Sequence, residues 1–312
     1  MSESASGERG PRGSRRFVRW YVRMPLKGLV FTGVTFFVLF PDPVRFVRHL
    51  GHLSDLEAMV ESDAPQLAEW EDELSARLAA DSALRTGGDG PHAAEDDGSD
   101  ARRVQKAIEA FVYQKVRYGW DWEVWGSADY LPTVGEMFEQ AAGDADGQMR
   151  EDCDGQALMA ASLMRRMGYE SAIVTDLRHV WVATPEGEWM GPGRSKTLIS
   201  TSEGNRSSIL HTLNNVPVAL SYGLAVFPLG RELIILVTAF VLVLHRGMKR
   251  RTIAFGALLL LQGLLFMRLG YLAPSAISRQ VSSWPSWWGG LHLLSGFGVL
   301  LWSSRRARQS AV

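Results

Sequence analysis

Long apolar runs near both ends of the chain, separated by a polar middle, constrain the fold more than any other feature of these 312 residues. The first run covers residues 28–40 and is extended towards the N-terminus by aromatic and apolar side chains. Three more runs cover about 229–245, 252–269 and 287–302. Because a helix of about 20 apolar residues is long enough to cross a bilayer, this pattern predicts a multi-pass membrane protein whose middle forms a domain outside the lipid.

Basic clusters beside these runs predict the orientation of the protein. They lie before the first run, between the second and third, and after the fourth: Arg15, Arg16, Arg19, Arg23 and Lys27; Arg246, Lys249, Arg250 and Arg251; Arg305, Arg306 and Arg308. The loop 270–286 contains one basic residue, Arg279. Since basic clusters stay on the cytoplasmic side, we expect both termini in the cytoplasm and residues 45–215 outside the plasma membrane. A signal peptide is the alternative for the first run, but no small-x-small cleavage site follows it.

Composition divides the chain into six segments. We predict a disordered basic N-terminus (1–19), a membrane anchor (20–44), a helical spacer (45–80), an acidic disordered linker (81–100), a mixed α+β domain (101–215) and a C-terminal membrane domain with three spanning helices (216–312). The linker is rich in glycine and acidic residues and offers few apolar groups to bury.

The net charge of −1 gives no reason to expect a nucleic-acid partner. A single cysteine excludes an internal disulfide framework.

That cysteine, Cys153, is the leading candidate for a reactive group. It directly precedes a stretch whose apolar spacing predicts a helix that ends at Gly168. Backbone N–H groups at a helix N-terminus lack intrahelical partners and favour an anion. We therefore expect this position to lower the pKa of the thiol and to raise its reactivity. Without such a context, a lone cysteine is most often a small buried apolar side chain.

A histidine follows on a predicted strand. Residues 171–175 and 179–183 read as two strands joined by a turn. Alternation in the second strand places His179, Trp181 and Ala183 on one face. A cysteine at a helix start and a histidine on a neighbouring strand can act as nucleophile and general base. Alone, a strand histidine is more often a half-buried structural residue, so the functional hypothesis depends on the pair.

In their order and spacing these motifs resemble the core of transglutaminase-like proteins, a superfamily that includes transglutaminases and many bacterial thiol peptidases and amidases. The matching stretches are Val116-Arg117-Tyr118, Asp129-Tyr130-Leu131-Pro132-Thr133 with Glu136, Glu151-Asp152-Cys153-Asp154, Arg165-Arg166-Met167-Gly168-Tyr169 and His179-Val180-Trp181-Val182. The resemblance covers about residues 101–192. It implies that the domain 101–215 is α+β with a transglutaminase-like, papain-like fold. It also implies acyl transfer through Cys153 and His179 with no metal or organic cofactor.

One part of the family pattern is missing. The resemblance implies an aspartate on the strand after His179, but that position holds Gly191, followed by Pro192. Glu188 is the candidate for the third catalytic residue in its place.

The backbone N–H of Cys153 would contribute to an oxyanion hole, with Gln148 and Gln156 as candidates for the second donor.

Aromatic residues near the pair are candidates for a substrate cleft. They are Trp120, Trp122, Trp125, Tyr130 and Trp181. Packing in a lid or in the core is the alternative role for the aromatic loop that follows Tyr118.

Together these features predict an extracytoplasmic thiol enzyme of prokaryotic type, anchored in the membrane. Its partners would be the lipid bilayer and a protein or peptide substrate near the membrane surface, with hydrolysis favoured over cross-linking because water is abundant there. The alternative is an inactive copy of the domain that serves as an envelope binding or assembly module, since the acid is missing. A transporter is disfavoured, because the apolar runs show no repeat and no polar relay.

Overall fold

The computed structural model of the protein combines long helices with two small sheets. It describes residues 12–86, 97–175, 179–191, 199–200, 220–272 and 284–309. Parts of several predicted segments therefore lie outside the described residues, including 1–11, 87–96, 201–215 and Pro192.

The elements follow one another in this order. The first part of the chain forms α1 (Arg12–Leu39), α2 (Pro43–Ser54), α3 (Leu67–Thr86), α4 (Asp97–Lys115), β1 (Val116–Tyr118), α5 (Asp121–Val124), α6 (Val134–Gly143) and β2 (Met149–Glu151). The next part forms α7 (Cys153–Arg166), β3 (Ala172–Thr175), β4 (Val180–Thr184), β5 (Gly187–Trp189) and β6 (Ile199–Ser200). The last part forms α8 (Leu220–Val226), α9 (Leu229–Val243), α10 (Arg250–Leu272) and α11 (Trp284–Gln309).

Side-chain caps fix the starts of three helices. The Asp42 carboxylate accepts two backbone N–H groups in the first turn of α2. Thr133 and Glu136 form a reciprocal capping box at the start of α6. Asp152 caps α7 by accepting the N–H of Asp154. Each cap satisfies backbone donors that a helix start leaves unpaired, and the last one places Cys153 at the first helical position.

The strands form two separate sheets. β1 and β2 pair in parallel, and this pairing brings Tyr118 opposite Glu151. The four remaining strands form an antiparallel sheet in the order β5-β4-β3-β6. In this sheet Ala172 of β3 pairs with Ala183 of β4, and Val182 pairs with Trp189 of β5. α7 packs against both β3 and β4, so the cysteine helix and the histidine strand are direct neighbours.

The predicted spacer is part of the domain core. Leu67, Trp70 and Leu74 of α3 are buried in the same apolar cluster as α4, α6, α7 and the larger sheet. Trp70 contacts the rings of Phe111 and Phe138 edge to face. Residues 45–54 and 67–80 are helical as predicted, whereas 55–66 are not. α3 packs into the domain core and is not a separate spacer.

Helices also extend into segments predicted to be disordered. α3 continues to Thr86 and α4 begins at Asp97, so both ends of the predicted linker 81–100 are helical. The chain has no glycine or proline between 81 and 86 to stop α3. At the other end, acidic residues suit the start of α4 because the helix dipole favours them there. α1 begins at Arg12, inside the segment 1–19.

Two helices among the described residues are long and apolar enough to cross a membrane. They are Val22–Leu39 in α1 and Arg250–Leu269 in α10. α8 and α9 would add a third span if the pair, which bends by 119°, is counted as one. The apolar helices indicate contact with a lipid bilayer. The finding is narrower than the four predicted spans, because α9 alone has only 15 residues and α11 does not pass the same test.

Arg268 of α10 holds the bend between α8 and α9 in place. Its guanidinium donates to Glu232 Oε2 of α9 at 2.6 Å and to the carbonyl oxygens at the end of α8 and beyond it, Leu224, Ala225 and Phe227. A cation is favoured at a helix C-terminus because carbonyl groups are unpaired there. All of these partners of Arg268 lie within the protein.

Glycines bring α10 and α11 into close antiparallel contact. A Cβ added at Gly289 would collide with Met267 and would lie 2.8 Å from the carbonyl oxygen of Gly263. A Cβ at Gly256 would lie 2.6 Å from Cγ of Leu300. Small residues at these positions allow two helix backbones to approach closely, which is how helices commonly associate in membranes.

Candidate active site

Cys153 is the first residue of α7, and its thiol is half-buried. The backbone N–H of Val180, the residue after His179, lies against its sulfur and favours the thiolate. Burial acts against the thiolate more strongly, and the neighbouring Asp152 carboxylate adds to this effect. Together they raise the pKa of the Cys153 thiol above its usual value.

The expected lowering of the Cys153 pKa is therefore wrong for this arrangement. The helix start is present as predicted, but Asp152 and Asp121 place negative charge beside the sulfur. A carboxylate a few ångströms away opposes the partial positive charge at a helix N-terminus. The thiol is thus poised to stay protonated at neutral pH, and it would need a base to become a nucleophile.

His179 lies immediately before β4, and one of its ring nitrogens is tied to the backbone. Nε2 lies 2.7 Å from the carbonyl oxygen of Met190. Because a carbonyl can only accept a hydrogen bond, Nε2 carries the proton in this contact. The neutral ring then has Nδ1 as its basic nitrogen. The ring also lies nearly parallel to the indole of Trp181, at an angle of 16° and a centroid distance of 6.3 Å.

Glu188, the sequence candidate for the third catalytic residue, does not reach His179. Glu188 is exposed and pairs with Ala183, four residues from His179 along the chain, which corresponds to about 13 Å in a strand. Gly191 packs against Trp181, where an added Cβ would lie 3.0 Å from the indole. An aspartate at this position would displace the indole. The Met190 carbonyl takes the place next to the ring that the resemblance assigns to an acid.

The turn that presents this carbonyl is held by a second residue, Glu109 of α4. Met190 has a backbone φ of +62°, a conformation that residues other than glycine rarely adopt. Its N–H donates to Glu109 Oε1 at 2.6 Å. A charged acceptor gives a strong hydrogen bond, so Glu109 stabilises the strained turn and, through it, the orientation of His179.

We expect Glu109→Ala to lower any activity that depends on His179, by up to about 100-fold, because a catalytic group that shifts by about 1 Å loses much of its effect. Glu109→Gln retains an oxygen acceptor and should keep most of the activity. The pH profile of Cys153 alkylation is the measurement that separates positioning from a general loss of stability. An unchanged profile in Glu109→Ala would contradict a positioning role.

The structure separates the five candidate cleft residues into two groups. Trp181 and Tyr130 are 0% and 1% exposed and belong to the interior. Trp125 donates its indole N–H to Glu151 Oε1 at 2.6 Å and lies under the guanidinium of Arg45. The side chains of these three residues therefore pack within the protein.

Trp120 and Trp122 contact α8. The indole N–H of Trp122 donates to the carbonyl oxygen of Val226, at the end of α8, at 2.9 Å. The ring of Trp120 packs edge to face against Tyr222 of α8. The aromatic loop thus attaches the domain to α8.

Two tyrosines that the sequence did not single out lie near the thiol. Tyr113 and Tyr118 are 47% and 48% exposed. Burial raises the pKa of each phenol, and Cys153 contributes to both shifts. The Tyr118 hydroxyl lies 3.4 Å from the hydroxyl of Tyr222. The surroundings of Cys153 therefore continue onto α8. Strand and helix periodicity gave no signal for this arrangement, because it depends on how α4 and β1 meet α7.

The two glutamines proposed for the oxyanion hole have other partners. Gln148 donates to the carbonyl oxygen of Lys115 at 2.7 Å, and Gln156 donates to that of Val116 at 3.1 Å. Both amides connect α7 and β2 to the end of α4. The Cys153 backbone N–H favours the thiolate, and its part in an oxyanion hole stays a prediction.

No family model matches this chain, and no curated protein or solved structure is significantly similar to it. Function must therefore be argued from the geometry of the site.

Proposed function

We propose that this protein is a transglutaminase-like thiol enzyme that transfers acyl groups from amide or peptide bonds through Cys153 and His179. The observation that carries the proposal is the packing of α7, which begins at Cys153, against β4, which directly follows His179. This packing brings the cysteine helix and the histidine strand together. A nucleophile at a helix start beside an oriented imidazole is a recurring arrangement for covalent catalysis.

The raised pKa of the thiol favours one order of proton transfer. Nδ1 of His179 takes the proton from Cys153 as the sulfur attacks the carbonyl carbon. The imidazolium then gives that proton to the leaving nitrogen as the C–N bond breaks, which leaves a thioester on Cys153. Water attacks the thioester, loses a proton to His179 and regenerates the thiol. An amine in place of water would give cross-linking instead, and hydrolysis is favoured because water is abundant outside the cell.

The proposed location follows from the basic clusters and from contacts of the domain with α1 and α9. By the positive-inside rule, both termini lie in the cytoplasm and residues 45–215 lie outside. The backbone N–H of Ala128 donates to the carbonyl oxygen of Leu39 at 2.7 Å, and Arg231 donates to that of Gly126 at 2.9 Å. These contacts hold the domain close to the apolar helices, so the substrate would be a protein or peptide segment near the membrane surface.

A second candidate is a binding or assembly module without activity. The raised thiol pKa and the burial of Tyr130 and Trp181 favour it, because they reduce both the reactivity of the site and the aromatic surface available to a substrate. The two candidates differ in whether His179 activates Cys153.

Alkylation of Cys153 on intact cells distinguishes them. The reagent is an iodoacetamide derivative that does not cross membranes. It can label this protein at one position, because Cys153 is its only cysteine. We expect measurable labelling near neutral pH in the wild type and labelling about tenfold to 100-fold slower in His179→Ala, since general-base assistance contributes at least this much. Asp152→Asn keeps the helix cap and removes a negative charge, so it should label faster near neutral pH.

Each outcome of the alkylation experiment points to a different conclusion. Equal labelling rates of wild type and His179→Ala, with the reagent reaching the thiol in both, would favour the module. Labelling only after the cells are opened would contradict the proposed orientation. Release of product from quenched peptides by the purified protein, abolished in Cys153→Ala, would establish hydrolysis.

A further inference from the structure

Exposed basic side chains gather at one end of the apolar helices. They belong to the turn that joins α9 to α10, to the start of α10 and to the end of α11. All of them are exposed to solvent. We call this group the basic surface, and its members are Arg246, Lys249, Arg250, Arg251, Arg305 and Arg306.

Close packing joins the two parts of the basic surface. A Cβ added at Gly247 would lie 3.0 Å from Cβ of Ala307, so the turn before α10 lies directly against the end of α11. Met248 in the same turn is 7% exposed and belongs to one apolar cluster with Leu260 and Leu300. The turn is therefore anchored by its own side chain. The basic residues that flank Gly247 and Ala307 form one continuous surface.

Carboxylates do not balance this positive charge. The sequence has no aspartate or glutamate between residues 233 and 312. Within the part of the chain that the structure describes, Lys249, Arg250 and Arg305 form no ion pair, and neither do Arg246 and Arg251. Like charges side by side repel one another, so an anionic partner from outside the chain would stabilise them.

The depth of the basic surface indicates what kind of anion it meets. The stretch of α10 that is long and apolar enough to cross a membrane is Arg250–Leu269. Arg250 therefore lies where the hydrocarbon layer would begin, at the level of the lipid headgroups. On α11, the guanidinium of Arg306 lies over the ring of Trp302 at 3.9 Å, and Trp302 is 56% exposed. Exposed tryptophan and long basic side chains are typical of this layer.

The anchor helix brings further basic residues to the same end. The ammonium group of Lys27 in α1 donates to the carbonyl oxygen of Leu242, in the last turn of α9. Arg23 lies one turn earlier on α1 and is exposed. Because α9 ends where the basic surface begins, the cations of α1 lie on the same side of the bilayer. They add to the attraction of that side for negative charge.

From these contacts we infer that the basic surface binds the headgroup of an anionic phospholipid. Arginine donates paired N–H groups to phosphate oxygens, and lysine adds a compact positive charge. A phosphate that is attached to acyl chains stays at the depth of Arg250, whereas a soluble anion does not. Basic residues next to membrane-spanning helices attract anionic lipids in this way. Lipid binding here is independent of the chemistry of Cys153 and of the direction in which the protein is inserted.

Lipid titration of the purified full-length protein in detergent tests this site. Native mass spectrometry counts the bound lipid molecules and gives their affinity. Phosphatidylglycerol and phosphatidylcholine with identical acyl chains differ in net headgroup charge. We expect phosphatidylglycerol to bind about tenfold or more tightly than phosphatidylcholine. The difference should shrink severalfold between about 0.05 M and 0.5 M ammonium acetate, because salt screens exposed charges.

Matched variants locate the lipid. Lys249→Gln and Arg305→Gln each remove one charge, from the two parts of the basic surface, and each should weaken phosphatidylglycerol binding about fivefold. The double variant should weaken it about tenfold to 30-fold. Lys106→Gln removes an exposed lysine from α4 in the domain and should bind lipid like the wild type. The replaced side chains are all exposed, so the variants should fold.

Three results would overturn lipid binding at the basic surface. Equal affinities for phosphatidylglycerol and phosphatidylcholine at low salt would show that headgroup charge is not recognised. Equal binding of phosphatidylglycerol by the wild type, Lys249→Gln and Arg305→Gln would place the lipid elsewhere. The third result is displacement of the lipid by an equal concentration of glycerophosphoglycerol, which is the headgroup without acyl chains. It would show that the surface binds a soluble anion.

Discussion

Trp181→Ala should lower the free energy of unfolding by about 3–5 kcal/mol, because removal of a fully buried indole loses its apolar contacts and leaves a large cavity. Trp181 is 0% exposed and lies in the main core cluster. The midpoint of thermal unfolding should fall by roughly 10 °C for a domain of this size. Differential scanning calorimetry of the detergent-solubilised protein measures this shift.

The control for this prediction is Trp181→Phe. The indole N–H is buried and has no hydrogen-bond partner, so phenylalanine removes a polar group that gains nothing in the fold. Trp181→Phe should therefore cost much less than Trp181→Ala. Equal losses of unfolding free energy in the two variants would mean that the removed side-chain volume does not cause the destabilisation. A Trp181→Ala protein as stable as the wild type would show that the indole is an exposed cleft residue, as its place on the face of His179 suggested.

The role of Trp181 shows what strand alternation can and cannot predict. The pattern places His179 and Trp181 on the same face of the strand, and the two rings do lie nearly parallel. It does not tell whether other elements cover that face. Trp181 and its neighbour Val182 are both buried, so both sides of β4 are packed at this point. Burial on both sides depends on tertiary packing, which a period of two residues does not encode.

Local signals predicted the position of the nucleophile, but not its charge environment. A helix beginning at Cys153 follows from the cap at Asp152 and from the apolar spacing after it. Asp152 precedes Cys153 in the sequence, whereas Asp121 comes near it because β1 pairs with β2. Burial, the largest cause of the raised thiol pKa, and the contribution of Asp121 both depend on tertiary packing. The sequence alone therefore predicted the wrong direction of the shift.

The group next to His179 was also beyond a prediction from side chains. Residue patterns direct attention to acids such as Glu188, but Nε2 of His179 donates its hydrogen bond to the backbone carbonyl oxygen of Met190. Met190 itself has a positive φ, and its N–H donates to Glu109, which lies 81 positions earlier in the chain. These two features place its carbonyl group. A backbone acceptor leaves no trace in residue identity, so a missing acid in a sequence pattern does not by itself show that the histidine lacks a partner.

Gly289→Ala is expected to destabilise the C-terminal helices by about 1–3 kcal/mol, because its new methyl group would collide with backbone atoms that cannot move aside. The added Cβ would lie 2.8 Å from the carbonyl oxygen of Gly263 and from the backbone nitrogen of Met267. α10 and α11 would have to separate. A lower melting temperature and easier proteolytic cleavage between the two helices would record the loss.

Gly290→Ala is the matched control for this prediction, because nothing lies within 4 Å of a Cβ at that position. Alanine is better than glycine in a helix by up to about 1 kcal/mol, so the control should be neutral or slightly stabilising. Opposite effects at two adjacent glycines would show that α11 packs on α10 through one face. α10 is long and apolar enough to cross a membrane. A helix that packs along the length of α10 would then also be surrounded by lipid. Equal effects at both glycines would remove this argument for placing α11 in the bilayer.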